Sequence, residues 1–182
     1  MRALVVYESM FGNTHVVAEE IAEGIGADLH GADDIRVIPV GEADAAALAG
    51  VDLVVVGGPT HAHGMVREST REAAIAQAAE PDSELHVDPD AEGPILREWF
   101  DGIDGTGIKA AAFDTRVGMP TALTGRASKG ISHRLHHQGF EVVAKPVSFF
   151  VDKGNHLEPG AVELAREWGR ELAQALNAHP LV

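Results

Sequence analysis

The most informative feature of this sequence is a short loop that joins an apolar strand to an amphipathic helix. The strand pattern covers residues 3–7, the helical pattern begins at Thr14, and the loop between them contains Ser9, Gly12 and Asn13. A helix N-terminus offers free backbone N–H groups and the positive end of a dipole, so a loop of this kind binds phosphate. Ser9 and Thr14 add hydroxyl donors, and Gly12 lets the backbone approach closely. The predicted ligand is therefore a phosphate monoester held by neutral donors.

The composition of this loop separates it from other phosphate-binding loops. It contains no lysine, which excludes the GxxxxGK nucleotide loop, and it lacks the three spaced glycines of the dinucleotide fingerprint. The order Ser9-Met10-Phe11-Gly12-Asn13-Thr14 instead resembles the first loop of the flavodoxin-like family. That loop reads approximately Ser or Thr, two variable residues and Gly-Asn-Thr, and in the family it holds the phosphate of FMN.

Two further segments resemble the same family. Residues 54–64 look like the strand and the flavin-contacting loop that follow, and residues 110–116 look like the next strand and the second flavin loop. The three matches fall in the order of the family and cover most of the chain. The alternative interpretation is a βαβ protein in which Asn13 and Thr14 belong to an ordinary helix cap.

Apolar runs and helical patterns alternate along the chain, which is typical of a parallel sheet with helices on both faces. Strands are predicted near residues 2–7, 35–40, 52–57, 108–113 and 141–150. Helices are predicted near residues 14–25 and 126–138, and from Pro159 onward. This pattern indicates an α/β fold with a doubly wound five-stranded parallel sheet, flavodoxin-like, in the order 2-1-3-4-5. We expect one domain over residues 1–182.

An acidic insertion near residues 65–93 distinguishes the chain from a minimal flavodoxin. A capping box that starts at Ser69 predicts a short helix to about residue 79, and Pro94 predicts another over 95–100. The stretch between them is acidic, contains two prolines and has no Lys or Arg, which predicts a mobile segment. We expect it to grow from the flavin side of the sheet and to overhang the cofactor. The alternatives are a position at the far end of the sheet and a solvated loop without a role.

The resemblance assigns three groups of cofactor-binding residues, because ligands of open α/β sheets bind beyond the carboxyl ends of the strands. The group that holds phosphate is Ser9, Met10, Phe11, Gly12, Asn13 and Thr14. The groups that flank the isoalloxazine ring are Pro59, Thr60, His61, Ala62, His63 and Gly64, then Asp114, Thr115, Arg116 and Gly118. Gly58, Gly64 and Gly118 are expected to permit close backbone approach and unusual dihedral angles.

The chain departs from many flavodoxins in lacking a Tyr and a Trp that stack on the flavin. Its single tyrosine, Tyr7, lies in the first strand, while Trp99 and Trp168 lie in predicted helices and look like packing residues. A histidine or the acidic insertion would then cover the ring. Arg116 beside the ring would favour its reduced anionic form and raise its potential, unless the side chain pairs with a surface carboxylate instead.

The composition limits the partners and the location. The chain has 28 acidic and 14 basic residues and a net charge of −14, which argues against nucleic acid and anionic membranes as partners. A basic redox partner protein or a small-molecule electron acceptor fits better. The chain has no cysteine, so a redox role requires a bound cofactor. The early first strand leaves no room for a signal peptide, and no apolar run approaches 18 residues, so we expect a cytoplasmic protein without membrane insertion.

No catalytic residue and no metal site are predicted. His133 and His137 share a helix face but lack the carboxylate of an HExxH motif, and Ser9 and Thr60 lack a GxSxG context. The cofactor would perform the chemistry. The leading hypothesis is an FMN-binding electron-transfer protein. One alternative is an FMN-dependent NAD(P)H:quinone-type reductase, because Phe11 and the Pro59-Thr60 pair resemble residues of flavodoxin-fold reductases. The other is a flavodoxin fold without flavin that acts as a binding module.

Overall fold

The computed structural model describes residues 1–27, 34–61 and 63–177. Its strands are β1 (Arg2–Tyr7), β2 (Asp34–Pro39), β3 (Leu53–His61), β4 (Gly64–Met65), β5 (Lys109–Val117), β6 (Glu141–Val142) and β7 (Val147–Val151). Its α-helices are α1 (Asn13–Ala27), α2 (Ala45–Leu48), α3 (Glu68–Ala78), α4 (Leu96–Trp99), α5 (Thr121–Thr124), α6 (Ala127–His137) and α7 (Ala161–Asn177). Short 3-10 helices cover Val40–Glu42 and Pro89–Glu92.

The strands form one sheet in the order β2-β1-β3-β5, and both β6 and β7 pair with the outer side of β5. Every pairing is parallel except that of β4, which folds back antiparallel onto the end of β3. The predicted order 2-1-3-4-5 is confirmed, with the fifth strand divided into β6 and β7. Pro146 stands just before β7, and because proline has no N–H to donate to a ladder it interrupts the strand there.

Two central strands are longer than the sequence predicted. β3 continues to His61 and β5 to Val117, so much of the predicted loops 58–64 and 114–118 is strand. The two extensions pair with each other, Pro59 opposite Thr115, and β7 pairs with the other side of β5. Neighbours on both sides satisfy the backbone of β5, which explains why the ladder continues past the predicted end.

The helices α1 and α7 cover one face of the sheet. Their inner faces bury apolar residues at helical spacing, which are Val17, Ile21 and Ile25 of α1 and Ala165, Trp168 and Leu172 of α7. The two helices approach closely at Gly24, where a Cβ atom would lie 2.0 Å from the carbonyl oxygen of Arg166. The helix α7 begins at Ala161, later than the predicted Pro159, because Gly160 has a non-helical φ of +86°.

The opposite face is covered by α4, α6 and the short elements before β3. Ile131 and Leu135 of α6 are buried, and the indole N–H of Trp99 donates to the carbonyl oxygen of Ala43. Within the described part of the chain, no helix combines the length and the apolar character needed to cross a membrane.

The helices on either side of the acidic stretch differ from their predicted bounds. α3 begins at Glu68 with Arg67 as its N-cap residue, and the hydroxyl oxygen of Thr70 accepts the N–H of Arg67 at 2.9 Å. The predicted cap at Ser69 is therefore wrong by two residues. α4 is a single turn rather than a helix over 95–100, because Ile95 remains extended at a ψ of 155°.

Candidate functional site

A cavity of about 210 Å³ opens at the carboxyl ends of β1, β3 and β5. It lies where open α/β sheets bind their ligands. The residues that line it are Met10, Phe11, Asn13, Thr14, Pro59, Thr60, His61, Thr115, Arg116, Val117, Val151 and Asn155. The three predicted segments therefore meet in one place.

The lining differs from the list of predicted site residues in both directions. Ser9, Gly12, His63, Gly64, Asp114 and Gly118 are not among the residues that line the cavity, and Ala62 lies outside the described residues. Three lining residues were not among the predicted ones. Val117 ends β5, and Val151 and Asn155 belong to the end of β7 and the turn after it. The topology could have indicated them, since β7 is parallel to β5 and ends at the same edge of the sheet.

The lining is unusual in its charge for so acidic a protein. Among the described residues that line the cavity there is no Asp or Glu, and Arg116 is the one residue with a permanent charge. The whole chain, by contrast, has twice as many acidic as basic residues. The cavity is therefore suited to an anion.

The first turn of α1 supplies the donors at one end of the cavity. The first hydrogen bond of the helix runs from the N–H of Val16 to the carbonyl oxygen of Gly12 at 3.0 Å, so the amides of residues 13–15 precede it. The hydroxyl oxygen of Ser9 accepts the N–H of Gly12 at 3.0 Å and holds the loop in shape. Gly12 has a φ of +88°, a backbone conformation that glycine adopts without steric cost, which explains why glycine occupies this position.

Two side-chain hydrogen bonds fix this turn against the rest of the site. The hydroxyl groups of Thr14 and Thr115 lie 2.7 Å apart and are both buried. The side-chain amide of Asn13 donates to the carbonyl oxygen of Asn155 at 2.8 Å. The donors of α1 are therefore held in place by β5 and by the turn after β7, before any ligand is present.

Asp114 faces α6 instead of the cavity. Its Oδ2 accepts the N–H of Ser128 at 2.7 Å and the hydroxyl of Thr60 at 3.0 Å, and the same hydroxyl accepts the N–H of Ala127 at 2.8 Å. A carboxylate at a helix N-terminus is favourable because the dipole is positive there. The carboxylate of Asp114 thus positions α6 and the side chain of Thr60. Because Thr60 lines the cavity, Asp114 affects the cavity indirectly.

Arg116 is buried without a carboxylate partner. Its guanidinium group donates to the carbonyl oxygen of Met119 at 2.7 Å and to the hydroxyl of Thr124 at 3.0 Å, and it lies 4.9 Å from the ring centre of Phe150. Among the described residues none forms an ion pair with Arg116, and its Nε has no hydrogen-bond partner. The alternative of a surface ion pair is therefore wrong, and the positive charge at the cavity is not neutralised.

The aromatic part of the lining consists of Phe11 and His61, whose ring centres are 6.4 Å apart. Burial lowers the pKa of the His61 imidazole, so this side chain is neutral at pH 7. Tyr7 and Trp168, which the sequence placed outside the site, lie in the core on the α1 side of the sheet.

The predicted unusual dihedral angles at the glycines are wrong. Gly58, Gly64 and Gly118 do not have positive φ angles, whereas His63 has a φ of 73°. Close backbone approach does occur, but to protein groups. A Cβ atom on Gly58 would lie 2.8 Å from a methyl carbon of Leu96, and one on Gly118 would lie close to a glutamate side chain.

The acidic insertion is attached to the phosphate loop. The N–H of Asp88 donates to the carbonyl oxygen of Met10 at 2.9 Å. Met10 is itself buried in a small core that it forms with Val66, Ala74 and Ala91 of the insertion and with Ile95, which follows it. The expected position on the ligand side of the sheet is confirmed, and the second half of the insertion is an anchored segment with buried residues.

A buried carboxyl group lies directly before the phosphate loop. Glu8 accepts the N–H of Leu96 at 3.2 Å through Oε2, while its Oε1 has no hydrogen-bond partner among the described residues. Burial raises the pKa of Glu8 to about 7, although its backbone hydrogen bond and the charges of Arg71 and Arg97 oppose the shift. No sequence pattern singles out this residue, because its environment is created by α4, whose Leu96 N–H it accepts.

The comparisons with known proteins rest on structure alone. No protein-family model matches the sequence, and no curated protein matches it significantly. Among solved structures, oxidised flavodoxin 1 from Bacillus cereus matches with a TM-score of 0.65 and 22% identity, covering 97% of this chain and 99% of that one. The WrbA-like flavodoxin from Agrobacterium tumefaciens matches with a TM-score of 0.59 and 19% identity, covering 98% of this chain and 99% of that one.

A larger protein contains the same fold as one of its parts. Rubredoxin oxygen:oxidoreductase from Desulfovibrio gigas matches with a TM-score of 0.63 and 18% identity, covering 97% of this chain and 36% of that one. The sheet order, the helices on both faces and these matches over nearly the whole chain agree. The chain has a flavodoxin-like fold.

Proposed function

We propose that this protein binds FMN in the cavity at the carboxyl edge of the sheet and serves in electron transfer. The observation that carries the proposal is the lining of that cavity, which, among the described residues, combines the N-terminal turn of α1 with one unpaired arginine and no carboxylate. A site of this charge in a protein of net charge −14 favours an anionic ligand. The similarity to flavodoxins makes FMN the candidate.

The residues at the α1 end fit a phosphate group. Backbone amides of residues 13–15 and the hydroxyl of Thr14 would hold it, with the helix dipole favouring its charge. The cavity of about 210 Å³ is smaller than most small-molecule pockets, which measure about 300–1,000 Å³. FMN would therefore fill the enclosed part of the site and extend beyond it.

The residues at the β3 and β5 end would orient the ring. A bound flavin supplies one- and two-electron chemistry, and the protein supplies grip, access and charge. Pro59, His61 and Thr115 give this end an uncharged surface, since the imidazole of His61 is neutral at pH 7. Arg116 adds the positive charge that favours electron density on a nearby ring.

FMN binding is tested by titration of FMN and riboflavin, followed by flavin fluorescence and calorimetry. We expect FMN to bind and riboflavin, which has no phosphate, to bind much more weakly. Gly12→Ala should weaken FMN by about tenfold or more, because a side chain at a φ of +88° costs roughly 1–2 kcal/mol and displaces the loop.

Gly107→Ala is the matched control for this variant. Gly107 also has a positive φ, +83°, and a Cβ atom would meet nothing within 4 Å at either position, but Gly107 lies at the opposite edge of the sheet, before β5. Both variants should lose similar stability, and Gly107→Ala should keep its FMN affinity. If the wild-type chain binds no FMN at high concentration, the proposal fails, and a flavodoxin fold that acts as a binding module becomes the better hypothesis.

A second candidate function is an FMN-dependent NAD(P)H:quinone-type reductase. The observation that favours it is the absence of Trp and Tyr from the described lining, which leaves no large ring to cover the flavin and so leaves space for a second substrate. A reductase should oxidise NAD(P)H in the presence of a quinone at about 1 to 1,000 per second. A carrier should show negligible oxidation alone and should instead exchange electrons with a basic redox protein, the partner that we propose.

A further inference from the structure

A cluster outside the proposed FMN cavity joins three distant parts of the chain. Tyr7 comes from the end of β1, His15 from the first turns of α1, and Asp88 and Asp90 from the acidic insertion. One ligand atom each from His15, Asp88 and Asp90 lies within 4.8 Å of the other two. The rings of Tyr7 and His15 are stacked, with centres 4.3 Å apart.

The hydrogen bonds of this cluster determine the state of His15. The phenol of Tyr7 donates its single proton to Oδ2 of Asp90, at 2.6 Å. The phenol oxygen, 3.1 Å from Nε2 of His15, can therefore only accept at that contact, so Nε2 of His15 is the nitrogen that carries hydrogen. In the neutral imidazole this leaves the lone pair of Nδ1 free.

Nδ1 of His15 faces a buried carboxylate oxygen. The side chain of Asp88 is 2% exposed, and its Oδ2 lies 3.6 Å from Nδ1. This distance is too long for a hydrogen bond, for which about 2.7–3.2 Å is normal. It matches the separation of about 3.4 Å between two ligands of a tetrahedral zinc ion with bonds of about 2.0–2.2 Å. Two electron-pair donors thus face each other across a gap that a cation fits.

The negative charge around this gap also favours a cation. Asp88 and Asp90 lie beside His15, and Oε1 of Glu19 lies 3.7 Å from Nε2 of the same side chain. In the described part of the chain, no Lys or Arg forms an ion pair with any of these three carboxylates. Asp88 is the buried one of the three, and a carboxylate taken out of water is normally paired or bound to a metal.

We propose that Nδ1 of His15 and the carboxylates of Asp88 and Asp90 bind one divalent transition-metal ion, with water completing its coordination. One imidazole and two carboxylates suit zinc or a similar first-row ion, whereas magnesium and calcium prefer oxygen ligands alone. Tyr7 would support the site by accepting the Nε2–H of His15, as second-shell groups do in known metal sites. A shift of the ligand atoms by roughly 1 Å brings all three to coordinating distance.

The ion would clamp the insertion to β1 and α1. The site does not include any residue that lines the FMN cavity, so this inference stands apart from the proposed function. Sequence reasoning missed it because its ligands have no motif spacing and come together only in the fold. Sequence reasoning examined His133 and His137 instead, whose rings lie 5.9 Å apart on α6.

The test is calorimetric titration of the chelator-treated, FMN-free, full-length chain with zinc chloride, and with magnesium chloride for comparison. We expect one zinc site that magnesium does not fill at the same concentration. His15→Gln should weaken zinc binding by more than about tenfold. Removal of a group that only contacts a metal ligand already costs about tenfold or more, and His15 is itself a ligand. Asp90→Asn should do the same. The double variant His133→Gln/His137→Gln should keep the site.

Tyr7 provides a second readout, because it is the single tyrosine of the chain. Zinc bound to His15 should change the ultraviolet absorption of Tyr7. Tyr7→Phe should lose that change and should weaken zinc binding less than His15→Gln does, because it removes a partner of a ligand and not the ligand itself. Zinc should also raise the melting temperature of the wild type and not that of His15→Gln. The proposal would be overturned if the wild type did not bind zinc. It would also be overturned if His15→Gln and Asp90→Asn left zinc binding unaltered while His133→Gln/His137→Gln removed it.

Discussion

The hydroxyl oxygens of Thr14 and Thr115 lie 2.7 Å apart in a buried contact that joins the first turn of α1 to the middle of the sheet. Each of these residues comes from a different predicted ligand-binding segment, and both line the cavity. The contact therefore connects the end of the cavity proposed to hold phosphate with the end proposed to hold the flavin ring.

Removal of either hydroxyl should lower the stability of the protein by a similar amount. Thr14→Ala and Thr115→Val each leave the remaining buried hydroxyl without its hydrogen-bond partner. Each should lower the free energy of unfolding, measured with urea, by about 1–3 kcal/mol. Their effects on ligands should differ. Thr14→Ala also removes a donor to phosphate and should weaken FMN far more than riboflavin, whereas Thr115→Val should affect both flavins equally. Equal losses of both ligands in Thr14→Ala would mean that phosphate binds elsewhere.

Glu8 should make stability fall as the pH rises through the neutral range. Its pKa is about 7 in the folded protein and about 4.5 in the unfolded chain, so the folded state binds more protons between these values. The contribution of Glu8 to the free energy of unfolding should be highest below pH 4.5. It should fall as the pH rises to about 7 and should then stay level. The difference of about 2.5 pKa units corresponds to roughly 3 kcal/mol.

Glu8→Gln tests this assignment by urea unfolding at several pH values. The variant should be more stable than the wild type at pH 8 and should lack the decline between pH 5 and 7. Glu72→Gln, at an exposed position of α3, should retain the decline. A wild-type stability that rises over this range in a Glu8-dependent way would mean that the carboxylate is stabilised in its ionised form.

Arg116 should raise the reduction potential of a bound flavin through its charge. Its guanidinium group has no carboxylate partner among the described residues and is held by the carbonyl oxygen of Met119. Arg116→Gln should lower the midpoint potential by about 30–60 mV, which corresponds to about 1.4–2.8 kcal/mol for two electrons. Arg116→Lys keeps the charge and should remain near the wild type. Equal shifts in both variants would point to altered packing around Phe150 instead of lost charge.

The strand order and the two core faces followed from the sequence because they depend on periodic patterns. Val17, Ile21 and Ile25 repeat at helical spacing, and continuous apolar runs mark the buried parallel strands. The extents of β3 and β5 did not follow, since ladder pairing of Pro59 with Thr115 depends on which strands become neighbours. Local patterns cannot report a contact between distant segments.

The candidate site was predicted in part for the same reason. The predicted phosphate loop, residues 9–14, is a local structure, and four of its six residues, Met10, Phe11, Asn13 and Thr14, line the cavity. Asp114 was assigned to the ring, but the backbone N–H of Ser128 and the hydroxyl of Thr60 hold it toward α6. Asn155 was missed because only the fold brings the turn after β7 to Asn13.

The exposed acids in the middle of the insertion, directly after α3, should attract a basic redox partner, the kind of partner that we propose for this protein. Glu80, Asp82 and Glu84 are exposed, whereas Asp88 and Asp90 are occupied by contacts with His15 and Tyr7. Neutral variants of the first three should therefore change the surface field without disturbing the anchored part of the insertion. FMN affinity should stay unchanged, because these residues do not line the cavity.

The measurement is the rate at which the reduced flavoprotein passes electrons to a basic acceptor such as cytochrome c. The triple variant Glu80→Gln/Asp82→Asn/Glu84→Gln should react several-fold more slowly at low salt. The difference should shrink as the Debye length falls from about 10 Å at 0.1 M to about 3 Å at 1 M.

The matched control removes the same net charge from another face. Glu163, Glu167 and Glu171 are exposed on α7, which packs against α1. Their replacement by Gln lowers the total charge equally, so it should slow the reaction less if the insertion guides the partner. Similar rates in the two triple variants would mean that net charge alone governs the encounter and that the insertion is not the docking surface.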